Sequence, residues 1–105
     1  MSEADQYVLA IDLGTSGPKV AIVSESGKVI HCEVEATELI LLDGGGAEQD
    51  PDDWWQKICA ASQRVIAKNL VPVDRITSVA VTSQWSGTVA VDKTGKHLYN
   101  SIIWM

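Results

Sequence analysis

The sequence predicts an α/β fold whose mixed sheet opens with antiparallel strands, and three observations carry that expectation. Short β-rich runs broken by Gly-containing turns fill the first third of the chain. One strongly capped amphipathic segment follows them. After it comes a Val-Ala-Val run, the order expected when a helix crosses over to deliver a further strand.

Each element has a local cause. Val8-Leu9-Ala10-Ile11 runs into the turn-forming Gly14-Thr15-Ser16-Gly17-Pro18, and Lys19 to Val23 resumes the strand, which reads as a hairpin. Ser24 to Gly27 form a second turn. The next strand alternates, with Ile30, Cys32, Val34 and Ala36 on one face and His31, Glu33 and Glu35 on the other, where His31 is expected to be solvated. Leu39 to Ala47 pass through an apolar patch into Gly44-Gly45-Gly46, mobile by composition. Asp50 is a good N-cap, Pro51 suits the first helical position, and Asp52 and Asp53 favour the positive end of the helix dipole. Trp55, Ile58, Cys59, Ser62, Ile66 and Leu70 then follow helical spacing up to the stop at Val71-Pro72, so the helix covers roughly residues 51 to 69. Ile76 to Thr82 are expected in the sheet interior. A second hairpin pairs Thr88 to Asp92 with His97 to Tyr99 around Lys93-Thr94-Gly95-Lys96. The last apolar strand carries no polar tail, which reads as an incomplete domain.

Composition excludes several classes of function. At 105 residues and 11.3 kDa the chain holds at most one modest domain, burying roughly two-thirds of its unfolded surface. No apolar run approaches the roughly 20 residues of a membrane-spanning helix, so a membrane partner is not expected. The Met-Ser-Glu-Ala-Asp-Gln start is acidic where an export signal is basic and then apolar, which points by default to the cytoplasm. Cys32 and Cys59, with two histidines, show no metal-ligand spacing and are read as buried small hydrophobes. The net charge of −6 is uneven: eight acids and no Lys or Arg lie between Glu33 and Asp53, against six acids and eight bases elsewhere. Without a Lys/Arg cluster to displace phosphate counterions, nucleic acid is not an expected partner. The acidic block reads as a solvated face, except where it caps the helix.

Chemistry concentrates in Asp12-Leu13-Gly14-Thr15-Ser16-Gly17, a carboxylate at a strand end followed by glycines and hydroxyls in a tight turn. Glycines let backbone N–H groups approach a polyphosphate, Thr15 and Ser16 can donate to its oxygens, Asp12 can hold a hydrated Mg²⁺, and Lys19 adds a cation. The spacing matches neither a Walker A loop nor a dinucleotide Gly-x-Gly-x-x-Gly, and taken alone it fits an ordinary hairpin turn equally well.

Four segments together resemble the carbohydrate kinases of the FGGY family, in matching order and separation along nearly the whole chain. Ile11 to Lys19 is similar to that family's first phosphate motif, and Glu48-Gln49-Asp50-Pro51-Asp52-Asp53-Trp54-Trp55 to its segment before the first helix. Ser83-Gln84-Trp85-Ser86-Gly87 resembles its sugar-contacting turn, and Asn100-Ser101-Ile102-Ile103-Trp104 the strand ending in its pocket tryptophan. The phosphate motif is shared with actin and Hsp70 chaperones; the other three are not. The resemblance implies a ribonuclease H-like (actin-like ATPase) fold in two domains, of which residues 1–105 are the N-terminal part of the first. It implies an ATP- and Mg²⁺-dependent sugar kinase with ATP and a small-molecule sugar as partners, and it leaves homo-oligomers open. By match, Asp12 is the catalytic, Mg²⁺-linked acid, Gly14, Thr15, Ser16, Gly17 and Lys19 neighbour the nucleotide phosphate, and Gln84, Trp85, Ser86 and Trp104 line the sugar side. An aromatic face suits the C–H face of a sugar, while Gln and Ser suit its hydroxyls. Glu48 and Gln49 are expected to fix the loop before the helix.

Two departures matter. Xylulokinases typically carry Gln-Met-His-Gly where this chain has Gln84-Trp85-Ser86-Gly87, and glycerol kinases carry Gln-Arg-Glu, so neither substrate transfers directly. The family's catalytic base, second phosphate motif and adenosine motif all fall beyond Met105, so the fragment alone is expected to be inactive. The competing readings are an actin-like or Hsp70-like ATPase for the whole, and core roles for Trp85 and Trp104.

Overall fold

The computed structural model describes residues 5–105; residues 1–4, which carry part of the acidic N-terminus, lie outside the described residues. Three antiparallel strands open the chain, as the turn chemistry requires: β1 (Tyr7–Gly14), β2 (Gly17–Ser24) and β3 (Val29–Val34). β1 and β2 pair along their whole length from Tyr7↔Ser24 to Gly14↔Gly17, which leaves only Thr15 and Ser16 in the hairpin loop and places Pro18 inside β2. Gly17 has φ +137°, and a Cβ there would lie 2.0 Å from the Glu35 carbonyl oxygen, so this position admits glycine alone.

The segment expected to be mobile is a small hairpin. β4 (Ile40–Leu41) and β5 (Ala47–Gln49) pair across the glycine turn, and β5 also pairs with β7 (Ser101–Ile102), giving a second, three-stranded sheet. Gln49 leads directly into α1 (Pro51–Ala67), where the Asp50 side chain accepts from the Asp52 N–H at 2.9 Å, the cap that the sequence specifies. A 3₁₀ turn at Val73–Arg75 then introduces β6 (Ile76–Ser83), which runs parallel to β1. The first sheet therefore has the order β3-β2-β1-β6, mixed in direction, with α1 as the crossover.

Three expectations need correction. β6 is an edge strand, with Val79 and Val81 61 % and 64 % exposed, because α1 lies over β2 and β3 and none of the described residues pairs with its outer side. Ile30 packs against the core as expected, but beyond it the burial of β3 is reversed: a register shift between Ile22 and Val23 sets His31 and Glu33 opposite the buried Ile22 and Val20, on the helix side, and leaves Cys32 and Val34 exposed. Those acids are tolerated there because Arg64 of α1 reaches Glu33 at 2.9 Å and also pairs with Glu35, while His31 bonds Glu33. Arg64 and His31, as hydrogen-bonding partners, hold the Glu33 carboxyl below its ordinary range. On the helix Ile58 packs inward as expected, but the buried residues beside it are Ala61 and Val65, while Trp55, Ile66 and, past the helix end, Leu70 turn to solvent. Cys59 is half-buried.

The core consists of Tyr7, Leu9, Ile11, Val20, Ile22, Ala61, Val65 and Val71, with Ile30, Ile58 and Ile76 packed against it. The second expected hairpin is present as a Val91↔His97 bridge held by Asp92 and Lys96, although Thr88 bridges Ile102 instead. No helix is long and apolar enough to cross a membrane among the described residues.

Candidate functional site

β1 and β6 are parallel neighbours, so their C-terminal ends emerge together, and at a parallel sheet's C-terminal edge loops converge on ligands. The Gln84 N–H donates to the Leu13 carbonyl at 2.8 Å, which continues the ladder one step past β6 and seats the 83–87 turn against the β1–β2 loop. Across that junction the Thr15 hydroxyl donates to Gln84 Oε1 at 3.1 Å. Trp104 Nε1 donates to the Thr15 hydroxyl at 2.8 Å, although Trp104 follows it by 89 residues. Three residues singled out in the sequence for two different ligand sides thus meet in one hydrogen-bonded cluster.

Gln49 completes the cluster. Fully buried, it donates from Nε2 to the Thr15 carbonyl at 2.7 Å, while its Oε1 accepts from Gln84 Nε2 at 2.9 Å and from Trp54 Nε1 at 3.0 Å. Neighbouring Glu48 is 6 % exposed and accepts from Tyr99 Oη at 2.9 Å and Asn100 Nδ2 at 3.1 Å, which ties β5 to the segment leading into β7. The carboxylate so placed raises the Tyr99 phenol above its ordinary pKa. Glu48 thus has the loop-fixing part expected of it, whereas nothing in the sequence foretells that Gln49, oriented by Trp54, bonds both Thr15 and Gln84. A polar side chain between Ala47 and a helix cap was the available signal, visible only once β5 is recognised as a strand.

The remaining candidates stand apart from this network. Asp12 and Lys19 face each other across the β1–β2 pair, both exposed, beside a groove of about 300 Å³ floored by Ala10, Ala21, Ala80 and Thr82. Neither forms an ion pair among the described residues. An exposed carboxylate with all its lone pairs available fits Mg²⁺, which commonly takes one or two carboxylates and fills its other positions with water and phosphate oxygens. Ser16 is exposed at the loop tip, and its carbonyl accepts from the Thr37 N–H at 3.1 Å. Trp85 is 76 % exposed and Ser86 holds a left-handed φ of +56°; both project from the turn without side-chain bonds to the described residues. Trp104 is half-exposed, its indole nitrogen tied down and much of its ring open. One further cluster was not foreseen: ligand atoms of Asp50, Asp52 and His97 lie within 4.8 Å of one another, with Asp50 already engaged as the helix cap.

Residues 7–105 match the family model of the FGGY carbohydrate kinases, N-terminal domain. The chain belongs to the FGGY family. Among curated relatives it is 38 % identical over 105 residues to a glycerol kinase of Corynebacterium efficiens, covering 98 % of this chain and 20 % of that one. It is 33 % identical over 99 residues to a xylulose kinase of Bacillus subtilis, covering 94 % of this chain and again 20 % of the relative. The crystal structure of Plasmodium falciparum glycerol kinase with ADP superposes on 94 % of this chain and 20 % of its own, with a TM-score of 0.79 and 28 % identity. Gluconate kinase from Lactobacillus acidophilus superposes at a TM-score of 0.85 and 23 % identity, on 96 % of this chain and 20 % of its own, a likeness of fold. The architecture is accordingly the actin-like ATPase fold of the FGGY kinases, and the matches do not favour a chaperone or filament protein. The chain spans about a fifth of the length of the FGGY relatives it matches.

Proposed function

We propose that this chain is the opening part of the first domain of an FGGY kinase that transfers the γ-phosphoryl group of ATP to a hydroxyl of a small carbohydrate. The observation that carries the reading is the bonding of the β1–β2 loop to the 83–87 turn and to Trp104 through Thr15. Phosphoryl transfer is catalysed almost wholly by positioning and charge stabilisation, so a phosphate loop held against a sugar-side turn is the geometry it needs. In this reading Gly14, Thr15, Ser16 and Gly17 approach the phosphate, Lys19 supplies positive charge beside it, and Asp12 would hold Mg²⁺, which when bound neutralises phosphate charge. Trp104 offers an open ring face to the C–H face of the sugar, with Gln84, Ser86 and Trp85 around it. The group that takes the hydroxyl proton belongs to the part of the kinase outside this chain, so residues 1–105 alone are inactive. The same reading puts the enzyme in the cytoplasm with its ATP.

The test is Asp12→Asn in the full-length enzyme. Removing one negative partner of the metal without changing shape is expected to lower kcat by on the order of a hundredfold, with the circular dichroism spectrum unchanged. Near-normal turnover of a folded variant overturns the assignment.

A further inference from the structure

The hydrogen-bond directions around Gln49 are dictated by chemistry. An indole N–H can only donate and a backbone carbonyl can only accept. Trp54 Nε1 therefore identifies the Gln49 atom it meets as oxygen, and the Thr15 carbonyl identifies the other as nitrogen. The Gln84 atom that shares Gln49 Oε1 must then be its NH₂, which turns Gln84 Oε1 toward Thr15. Thr15 must donate its single hydroxyl hydrogen to that oxygen, and the lone pairs left on its own oxygen receive Trp104 Nε1. Every direction from Trp54 to Trp104 is set, and Thr15 has no hydroxyl hydrogen left for a phosphate oxygen. The side-chain donation to phosphate anticipated for Thr15 is replaced by an internal bond.

Gln49 is the fixed point of this relay. It is 0 % exposed, lies on β5 between β4 and β7, and immediately precedes the cap of α1. One of its amide ends grips the main chain of the phosphate loop and the other grips the side chain of the sugar-side turn. We propose that Gln49 is a positioning residue that couples the two ligand sides, so that a sugar seated on Trp104 and Gln84 sets the backbone of the Thr15–Ser16 turn for nucleotide. The proposal rests on the kinase reading above. Gln84 keeps one free N–H and Trp104 an open ring face toward the sugar, and both report directly to Thr15; the Gln49–Thr15 carbonyl bond converts their settling into a main-chain position. Coupling of this kind is reciprocal, so nucleotide must tighten sugar by the same factor.

Calorimetry on the full-length enzyme tests it, using Mg²⁺ with a non-hydrolysable ATP analogue, in the absence and presence of glycerol, xylulose or gluconate. For whichever of these binds, the wild type is expected to bind the analogue at least about fivefold more tightly with sugar present. Gln49→Leu keeps the volume and removes all three side-chain hydrogen bonds, to Thr15, Gln84 and Trp54, and is expected to bring that enhancement below about twofold while each ligand's affinity alone stays within about threefold. Trp54→Phe, which removes only the donor that orients Gln49, should fall in between; it decides the matter if Gln49→Leu does not fold. Enhancement undiminished in a folded variant overturns the proposal. So does loss of single-ligand affinity in step with the enhancement, which is what general damage would produce. A wild type that binds nucleotide with no response to any of the three sugars overturns the coupling and leaves the phosphate-loop assignment standing. Failure to bind nucleotide at all overturns the kinase reading, and the coupling with it.

Discussion

The β1–β3 hairpins with α1 and the β6 strand are built from the same kinds of side chain, yet they end in opposite environments. Val20 and Ile22 on β2 are 0 % and 1 % exposed, whereas Val79 and Val81 on β6 are 61 % and 64 % exposed. Strand chemistry is not the difference, since β6 is as β-branched as β2 and pairs with β1 over nearly its full length. Coverage is. The helix that closes the core lies over β2 and β3, and nothing among the described residues lies over β6. The radius of gyration, 16.0 Å, carries the same message, since a compact domain of about 100 residues has roughly 13 Å. A hydrophobic pattern therefore states which residues must find cover, and leaves open which part of the protein provides it.

The largest effect is expected where the covered region is tightest. Gly17→Ala puts a Cβ 2.0 Å from a main-chain oxygen of the segment after β3, at a φ that alanine avoids. Main-chain atoms cannot give way as a flexible side chain would, so the loss of stability should be roughly 3 kcal/mol or more by thermal or urea unfolding. A variant as stable as the parent would mean that the β2–β3 connection is not closed as described.

A matched pair of valines sharpens the comparison itself. Val65→Ala, at a fully buried site on α1, should cost about 2 kcal/mol, and Val81→Ala, largely exposed in this chain, less than about 0.5 kcal/mol. Repeated in the full-length protein, the Val81 cost should rise to match Val65 if the remainder of the protein covers β6. An equally small Val81 cost in both lengths would show that the β6 face stays open in the whole protein.

Legibility in the sequence followed the range of the interaction. Asp50, Pro51 and the acidic first turn announce α1 because capping is settled within a few residues, and the Gly14 to Gly17 pairing follows from turn chemistry of the same short range. The face of β3 departs from the alternating pattern because one register shift opposite Ile30 reverses which residues face inward after it, and no local pattern marks the shift. On α1 Ile58 faces the core as its spacing predicts, but Trp55 does not; small residues such as Ala61 contact the sheet closely, whereas a large aromatic can sit on either face. At the candidate site, the resemblance to a family singles out individual residues, but not their mutual bonds. The Thr15–Gln84, Gln49–Thr15 and Trp104–Thr15 contacts span 69, 34 and 89 residues, and only the paired strands bring them together.

The smallest expected effect is electrostatic, and it too separates the two regions. Glu33 is held below the ordinary carboxylate range by Arg64 and His31, and Asp53 by the Lys57 ammonium and the Glu38 N–H; both tie α1 to its surroundings on the covered side. A carboxyl whose folded pKa is depressed binds fewer protons than its unfolded counterpart. Its contribution is fully present above the unfolded value of about 4 and is lost as pH falls through the lower folded value. The melting temperature should therefore drop between pH 5 and pH 3, most visibly at low salt because the groups are near solvent. In Glu33→Gln the drop should be shallower, since an amide has no proton to gain. Asp92 is depressed as well, through Thr94 and the Lys96 N–H, but it serves only the turn of the later hairpin. Asp92→Asn should accordingly leave the acid drop of the melting temperature nearly unchanged, and a drop that follows Asp92 rather than Glu33 would place the cooperative core on the wrong side of the molecule.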